Sequence, residues 1–349
     1  MLGYLLKRLA AMVPTLLGIT FLTFMIVNCA PGDPVGATLE GGGSDGAGAE
    51  GGGGQNPDRM ADAIKAKKKL LGMVTEDYAV QRYDAAMSVD SREGDLEAWP
   101  RSLMSHDGRL LAGTTDGRLV DIESAASWDL EVQGKVQALV GEGNIVAVGT
   151  SEGELLTLDL DGGVVARIEP LDKGIRALGV SQGRLLVGSD DGALRVYSLP
   201  ELVYELKLEE HIAGIYDIEV GTDRFWTAGY DRVLREWDST TLAVLRSSEA
   251  HGQAINDLSL SPDGTRLATG CDDRRAYIFD LSDLDTPVAV LPDHHKRVSA
   301  VAWSADGGTV YTGGQDELLR SWRLDASPPT PVQGPERVGR VHDLVVHEQ

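Results

Sequence analysis

The stretch RLLVGSDDGALRVYSL, Arg184 to Leu199, reads as strand, tight turn, strand: apolar residues flank the polar Ser189–Gly192 on both sides. Five further stretches carry the same pattern: AGTTDGRLVDIE, VGTSEGELLTLD, AGYDRVLREWD, TGCDDRRAYIFD and TGGQDELLRSWR. Take Gly113, Gly149, Gly188, Ala228, Gly270 and Gly313 as position zero. An acidic residue then falls three later in every copy (Asp116, Glu152, Asp191, Asp231, Asp273, Asp316). A large apolar residue falls nine later (Ile122, Leu158, Tyr197, Trp237, Phe279, Trp322). No helical periodicity interrupts the copies, so a supersecondary unit repeats along the chain and buries its faces against its neighbours.

A second motif precedes each turn. In HGQAINDLSLSPDG and HHKRVSAVAWSADG the apolar residues fall at the same offsets from His251 and His294, and GIYDIEV follows His211 in that register. Each unit thus supplies an inner strand, a turn, two further strands and an outer strand such as LAVLRS. This pattern resembles the WD-repeat β-propellers over residues 93–349, and the resemblance implies an all-β fold of radial blades. Six blades are visible. RVHDLVVHEQ at the end repeats the inner-strand pattern of RVSAVAW, so one strand is left over. It either closes a six-bladed ring or begins an incomplete seventh blade, and truncation is the favoured expectation.

Trios such as His211, Thr227 and Asp231, or His294, Thr312 and Asp316, mimic a hydrolase triad. The resemblance implies a structural role instead: the turn Asp holds the His, the His bonds the strand Thr, and the Thr bonds the indole of Trp237 or Trp322. In the intervening blade His251, Thr269 and Asp273 meet Phe279, which has no N–H. Recurrence at a fixed offset points to scaffold, so no catalytic residue is expected. No cluster of polar residues is expected around the central channel, and no metal or cofactor site is expected. A ligand-binding surface is expected on loops at the blade ends, with Tyr230, Arg232, Arg274, Arg275 and Gln315 as candidates.

The chain has 349 residues, with 54 acidic and 32 basic side chains and a formal net charge of −22. That field disfavours nucleic acid and anionic lipid as partners and favours cationic ones. The two cysteines, Cys29 and Cys271, form no ligand or disulfide framework.

The N-terminal region differs from the rest. No charge occurs between Arg8 and Asp33, and about 20 apolar residues rising about 1.5 Å each span a hydrocarbon core of about 30 Å. Residues 9–32 are therefore expected to cross a membrane once. Lys7 and Arg8 before the span, and Asp33 and Glu40 after it, place the N-terminus in the cytoplasm and the repeats outside. A cleaved signal peptide, a lipid anchor on Cys29 and a buried core helix are the competing readings.

MLGYLLKRLAAMVPTLLGITFLTFMIVNCAPGDPV resembles the first transmembrane segment of the inner-membrane permeases of dipeptide, oligopeptide and glutathione ABC importers. That likeness implies a bacterial inner membrane and, as partners, other importer subunits. The organisation expected is a membrane anchor over 1–35, a glycine-rich linker over 36–57, a short helical connector over 58–92 and the propeller over 93–349. The function expected is a non-catalytic scaffold binding a protein or peptide on the propeller face. The alternative is the N-terminal part of a permease taking part in peptide transport.

Overall fold

The structure, a computed structural model, describes residues 100–122, 124, 126–324, 329–331, 336–337 and 341–345. The expected anchor, linker and connector lie outside the described residues. Among the described residues, no helix is long and apolar enough to cross a membrane.

Six antiparallel sheets follow one another along the chain as six blades. Their inner strands are Pro100–His106, Val136–Glu142, Ile175–Ser181, Ile215–Val220, Ile255–Leu260 and Val298–Trp303. Each packs beside the next and lines a central cavity of about 920 Å³. Two middle strands and an outer strand complete each blade. In blade 6, Thr330–Pro331 and Glu336–Arg337 both pair with Leu318–Arg323. The hydrophobic clusters lie between blades, where facing sheets exclude water: Phe225, Trp237 and Leu242 of blade 4, for example, pack with Ala177, Leu186 and Val196 of blade 3.

The near-invariant glycine at position zero has a packing reason. A Cβ on Gly188 would sit 2.7 Å from Ile215 Cγ2 of the next inner strand, and one on Gly149 would sit 2.5 Å from Ile175 Cγ2. Gly113 meets Val136 and Gly270 meets Val298 in the same way. In blades 2, 3, 4 and 6 the leading β-branched residue therefore seats on the backbone of the blade before it.

Gly313 of blade 6 meets Val341. Val341 is fully buried with Ala300 and Leu319, while Val345 packs with Leu103, Leu110 and Ala112 of blade 1. Val341 N donates to Gly314 O at 3.3 Å, and Leu103 N donates to Asp343 Oδ2 at 2.8 Å. Residues 341–345 form no strand; they run between blades 6 and 1 and bond to both, so the expected incomplete seventh blade is replaced by the closure of a six-bladed ring.

Inner-strand register also shapes the channel mouth. In all six blades the pairing skips one residue near the strand start, namely Arg101, Gln137, Arg176, Tyr216, Asn256 and Ser299. A bulge of this kind re-aims the unpaired residue. All six line the channel.

Candidate functional site

In blade 4 the structure brings the predicted residues into one buried chain. Trp237 Nε1 donates to Thr227 Oγ1 at 2.8 Å, Thr227 Oγ1 lies 2.7 Å from His211 Nε2, and His211 Nδ1 lies 2.9 Å from Asp231 Oδ2. A carboxylate only accepts, so Nδ1 carries the proton and Nε2 accepts from the threonine. Burial lowers the His211 pKa, which favours the neutral ring. Arg235 Nη1 donates to the same Asp231 oxygen at 2.9 Å.

Blade 6 repeats the arrangement. Trp322 Nε1 donates to Thr312 Oγ1 at 2.9 Å, Thr312 meets His294 Nε2 at 2.9 Å, and His294 Nδ1 lies 3.0 Å from Asp316 Oδ1. Trp, Thr and His are buried in both blades.

Blade 5 departs from this at both ends. His251 Nε2 meets Thr269 Oγ1 at 2.8 Å, and Phe279 supplies no donor. Asp273 does not reach His251; it accepts instead from the Tyr277 hydroxyl and from Arg275 N. His251 Nδ1 is left buried without a partner, and burial pushes the ring down to about 4. The predicted His251–Asp273 contact is therefore absent, because Tyr277 occupies the position that Arg235 and Arg320 hold in the flanking blades. Aligning those three residues four after the turn acid gives the signal in the sequence.

The first three blades have no such histidine and use a different turn. Thr114 Oγ1 donates to Asp116 Oδ1, and Ser189 Oγ to Asp191 Oδ1, both at 2.5 Å. One residue after the acid sits a glycine in the left-handed region: Gly117 (φ 85°), Gly153 (φ 86°) and Gly192 (φ 80°). In the last three blades that same left-handed position holds Arg232 (φ 69°), Arg274 (φ 75°) and Glu317 (φ 67°). A side chain there costs about 1–2 kcal/mol that glycine avoids. Both arginines are exposed.

Around these turns lies the candidate surface. Tyr230 is 60% exposed and tilts against Tyr216 at 6.1 Å, while the Arg176 guanidinium lies 5.5 Å over the Tyr216 ring. Ile212, 90% exposed, precedes the same inner strand. Arg232 Nη1 donates to Gly252 O at 3.1 Å, reaching the start of blade 5. Gln315 N bonds Arg297 O at 3.1 Å, and both residues line the channel mouth. The five predicted loop residues thus share the end of the propeller at which the inner strands begin.

The channel itself corrects one expectation. Carboxyls do converge in it: Asp217, Glu219, Asp257 and Asp343 all line the cavity, each half-buried. Each bonds the backbone of the following inner strand. Leu258 N donates to Asp217 at 2.7 Å, Leu260 N to Glu219 at 2.7 Å, Val301 N to Asp257 at 2.6 Å, and Leu103 N to Asp343.

Burial raises their pKa values: Asp217 to about 6, Asp343 to about 7 and Glu219 to about 8, the charge of Asp217 adding to the last two. Asp257 is raised well above the ordinary range by burial and by the charges of Asp217 and Asp343. The shared backbone contacts make them struts between blades. Their alignment at one inner-strand position (Asp217, Asp257, Asp343) was visible in the sequence; their convergence was not, because it needs ring closure. Among the described residues, no group of three or more His, Cys, Asp or Glu is placed to hold a metal ion.

Comparison with known proteins agrees with this architecture. The family described as WD domain, G-beta repeat (WD40) matches residues 242–280 and 285–323, which run from the outer edge of blade 4 through blade 6. The WD repeat-containing protein RUP2 of Arabidopsis thaliana is 28% identical over 42% of this chain and 43% of its own length. The target of rapamycin complex subunit LST8-1 of the same plant is 30% identical over 35% of this chain and 39% of its own. The chain thus spans about two fifths of the length of these curated relatives.

Among solved structures, the computationally designed Ika8 protein superposes with a TM-score of 0.60 at 20% identity, over 72% of this chain and 78% of its own. The WD40 β-propeller domain of Doa1 gives a TM-score of 0.58 at 16% identity, over 68% and 83%. At those identities the likeness concerns the fold alone. Matched repeats, six radial sheets and the buried Asp–His–Thr–Trp chains lead to one conclusion: the chain carries WD40 repeats, built into a six-bladed all-β propeller.

Proposed function

We propose that the propeller is a non-catalytic scaffold that binds a protein or peptide at the end bearing Tyr230, Arg232, Arg274, Arg275 and Gln315. The observation that carries this reading is the contrast between a rigid interior and a chemically varied rim. The buried networks fix the turns, and exposed Tyr230, Ile212, Arg232 and Arg274 project from them. Rigid, solvent-facing aromatic and arginine side chains are the groups that dominate protein interfaces. A relative named as a complex subunit is in keeping with that role.

In this reading residues 9–32 hold the chain in a bacterial inner membrane, with the N-terminus cytoplasmic and the propeller outside. The likeness of Met1–Val35 to an ABC importer permease makes importer subunits and their peptide cargo the first partners to test. It also supports the second reading, a transporter component taking part in peptide translocation.

A photo-crosslinking amino acid at position 230, with one in place of exposed Val290 on the outer strand of blade 5 as control, tests the scaffold role in intact cells. Partner adducts at 230 and not at 290 are expected. The absence of protein adducts at both positions, and at every other blade turn, refutes it. Protease added to spheroplasts tests the topology: residues 100–345 are cut from outside if the orientation is correct, and protected until lysis if it is reversed.

A further inference from the structure

The central channel carries both signs of charge, in successive layers along its axis. At the end where the inner strands begin, Arg101, Arg176 and Arg297 line it. Asp217 and Asp257 come directly after the bulged residues of blades 4 and 5, Glu219 lies two residues deeper, and Asp343 adds a fourth carboxyl. Near the far ends of the strands the lining turns apolar, with Val180, Val220, Leu260 and Trp303. Arg101 Nη1 donates to His342 Nδ1 at 2.5 Å, and His342 lines the channel too. Three guanidiniums and four carboxyls thus face one cavity of about 920 Å³, a size that suits a small ligand.

The fold uses these groups unequally. Both oxygens of Asp217 accept backbone N–H groups, from Ile218 and Leu258, and both of Asp343 do, from Leu344 and Leu103. Asp257 accepts from Val301 N and also bonds Asp217. Glu219 accepts from Leu260 N through Oε1, and among the described residues its Oε2 has no partner. At the mouth, Arg176 Nε donates to Asp190 Oδ1 at 2.8 Å and Nη1 to Gln137 Oε1 at 3.4 Å, with the guanidinium over the Tyr216 ring. Arg176 is therefore held in position, and its Nη2 is left without a partner among the described residues.

Arg176 and Glu219 sit on neighbouring inner strands. Arg176 and Tyr216 are the matching bulged residues, and Glu219 is three residues beyond Tyr216, about 10 Å further along the channel. An extended dipeptide, about 7 Å long, spans that interval with a hydrogen bond at each end. Charge selects the same ligand. A simple anion meets four carboxyls and a simple cation meets three guanidiniums, whereas a zwitterion offers each layer its opposite. Being neutral overall, it is also not repelled by a chain of net charge −22.

Resting on the peptide-binding reading of this end of the propeller, we propose that the channel binds short peptides with free termini, di- and tripeptides. The α-ammonium donates to Glu219 Oε2, beside Asp257, and the terminal carboxylate accepts from Arg176 Nη2. The first side chain packs against Val180, Val220 and Leu260. Burial raises the Glu219 carboxyl to about 8, so at pH 7 the ammonium takes the place of its proton.

Calorimetric titration of the full-length chain in detergent at pH 7 tests this with the dipeptide Leu-Ala. The comparison probes are N-acetyl-Leu-Ala, which lacks the ammonium, and Leu-Ala amide, which lacks the carboxylate. Leu-Ala is expected to bind and to release about one proton, read from titrations in buffers of different ionisation enthalpy. Each blocked form is expected to bind at least about tenfold more weakly, the loss of one charge-assisted hydrogen bond. Glu219→Gln keeps an acceptor for Leu260 N and is expected to weaken Leu-Ala about tenfold, abolish the proton release and leave N-acetyl-Leu-Ala unchanged. Arg176→Gln is expected to weaken Leu-Ala about tenfold and leave the amide unchanged. Melting curves show whether each variant is folded, and the blocked dipeptides test the same two contacts on the unaltered chain.

Failure of Leu-Ala to bind, equal affinity for either blocked form, or unchanged affinity in both folded variants each overturns the proposal. The crosslinking experiment keeps the two readings apart: partner adducts at 230 without dipeptide binding leave the scaffold standing and remove only this site.

Discussion

Thr227→Val removes one buried hydroxyl and keeps the shape of the side chain. In blade 4 that hydroxyl has two partners, Trp237 Nε1 at 2.8 Å and His211 Nε2 at 2.7 Å. All three residues are 4% exposed or less, so water does not replace the lost bonds. A buried polar group left unmet costs about 1–3 kcal/mol, giving roughly 2–5 kcal/mol for the pair. Thr269→Val is the same chemical change in blade 5, yet it strands only His251 Nε2, because Phe279 offers no N–H. Its expected cost is about 1–3 kcal/mol.

The two variants should therefore differ by about 1–3 kcal/mol, or roughly 2–12 °C in melting temperature for a domain of this size. Circular dichroism melts of both, at one pH, measure the difference. Adding Trp237→Phe to Thr227→Val removes the stranded donor while keeping the ring stacked on Phe225, and should recover about 1–3 kcal/mol. Equal destabilisation by the two threonine substitutions, or no recovery in the double variant, refutes the argument that the indole bond stabilises blade 4.

Three other outcomes are expected. The carboxyls of Asp217, Glu219, Asp257 and Asp343 are raised in the folded chain, so their contribution to stability is lost as pH rises through those values. The lowered His211 and His251 act in the opposite sense only below the ordinary histidine value. Melting temperature should thus rise on acidification from about pH 8 to about pH 6.5, and Glu219→Gln should flatten that slope; no slope in that window means that these carboxyls are not desolvated in the channel. Gly313→Ala should drive a methyl into Val341 and loosen the ring at the blade 6–blade 1 seam, seen as new proteolysis there, and Val341→Ala should partly rescue it. By nuclear magnetic resonance, His251 should titrate near 4, and a value near 6.5 would mean that it is not desolvated.

Much of this was legible because the repeat makes each residue a control for five others. The fixed offset from position zero located the turn acid, and the apolar runs on either side of the turn located the two middle strands around Leu185–Val187 and Leu194–Val196. What the sequence concealed are properties of closure. Asp217, Asp257 and Asp343 are separated by 40 and more residues, and they approach only because the ring brings their strands around one channel. Likewise RVHDLVV was expected to begin an incomplete seventh blade rather than to close a ring of six. The clasp reading follows once Val341 seats on Gly313 and Asp343 accepts from Leu103. The blade 5 substitution of Tyr277 for arginine was visible, but its effect was not: redirecting Asp273 away from His251 requires knowing where the hydroxyl reaches.

The scaffold networks and the exposed rim residues are linked through one residue per turn. Asp231 is held by His211, by Arg235 and by Val233 N, and the next residue is the strained, exposed Arg232. Asp316 is held by His294, His295 N and Leu318 N, and the next residue is Glu317 in the same left-handed conformation. In blade 5 the Tyr277 hydroxyl and Arg275 N replace the histidine as anchors, and Arg274 follows. Blades 1–3 lack the histidine and use glycine at this step, where no backbone strain needs offsetting. A side chain at a left-handed position persists when its surroundings over-determine the backbone. The common anchor is therefore the turn carboxylate rather than the complete chain of Asp, His, Thr and Trp: held through histidine in blades 4 and 6 and through Tyr277 in blade 5, it fixes a turn in which a side chain sits where glycine would be easier.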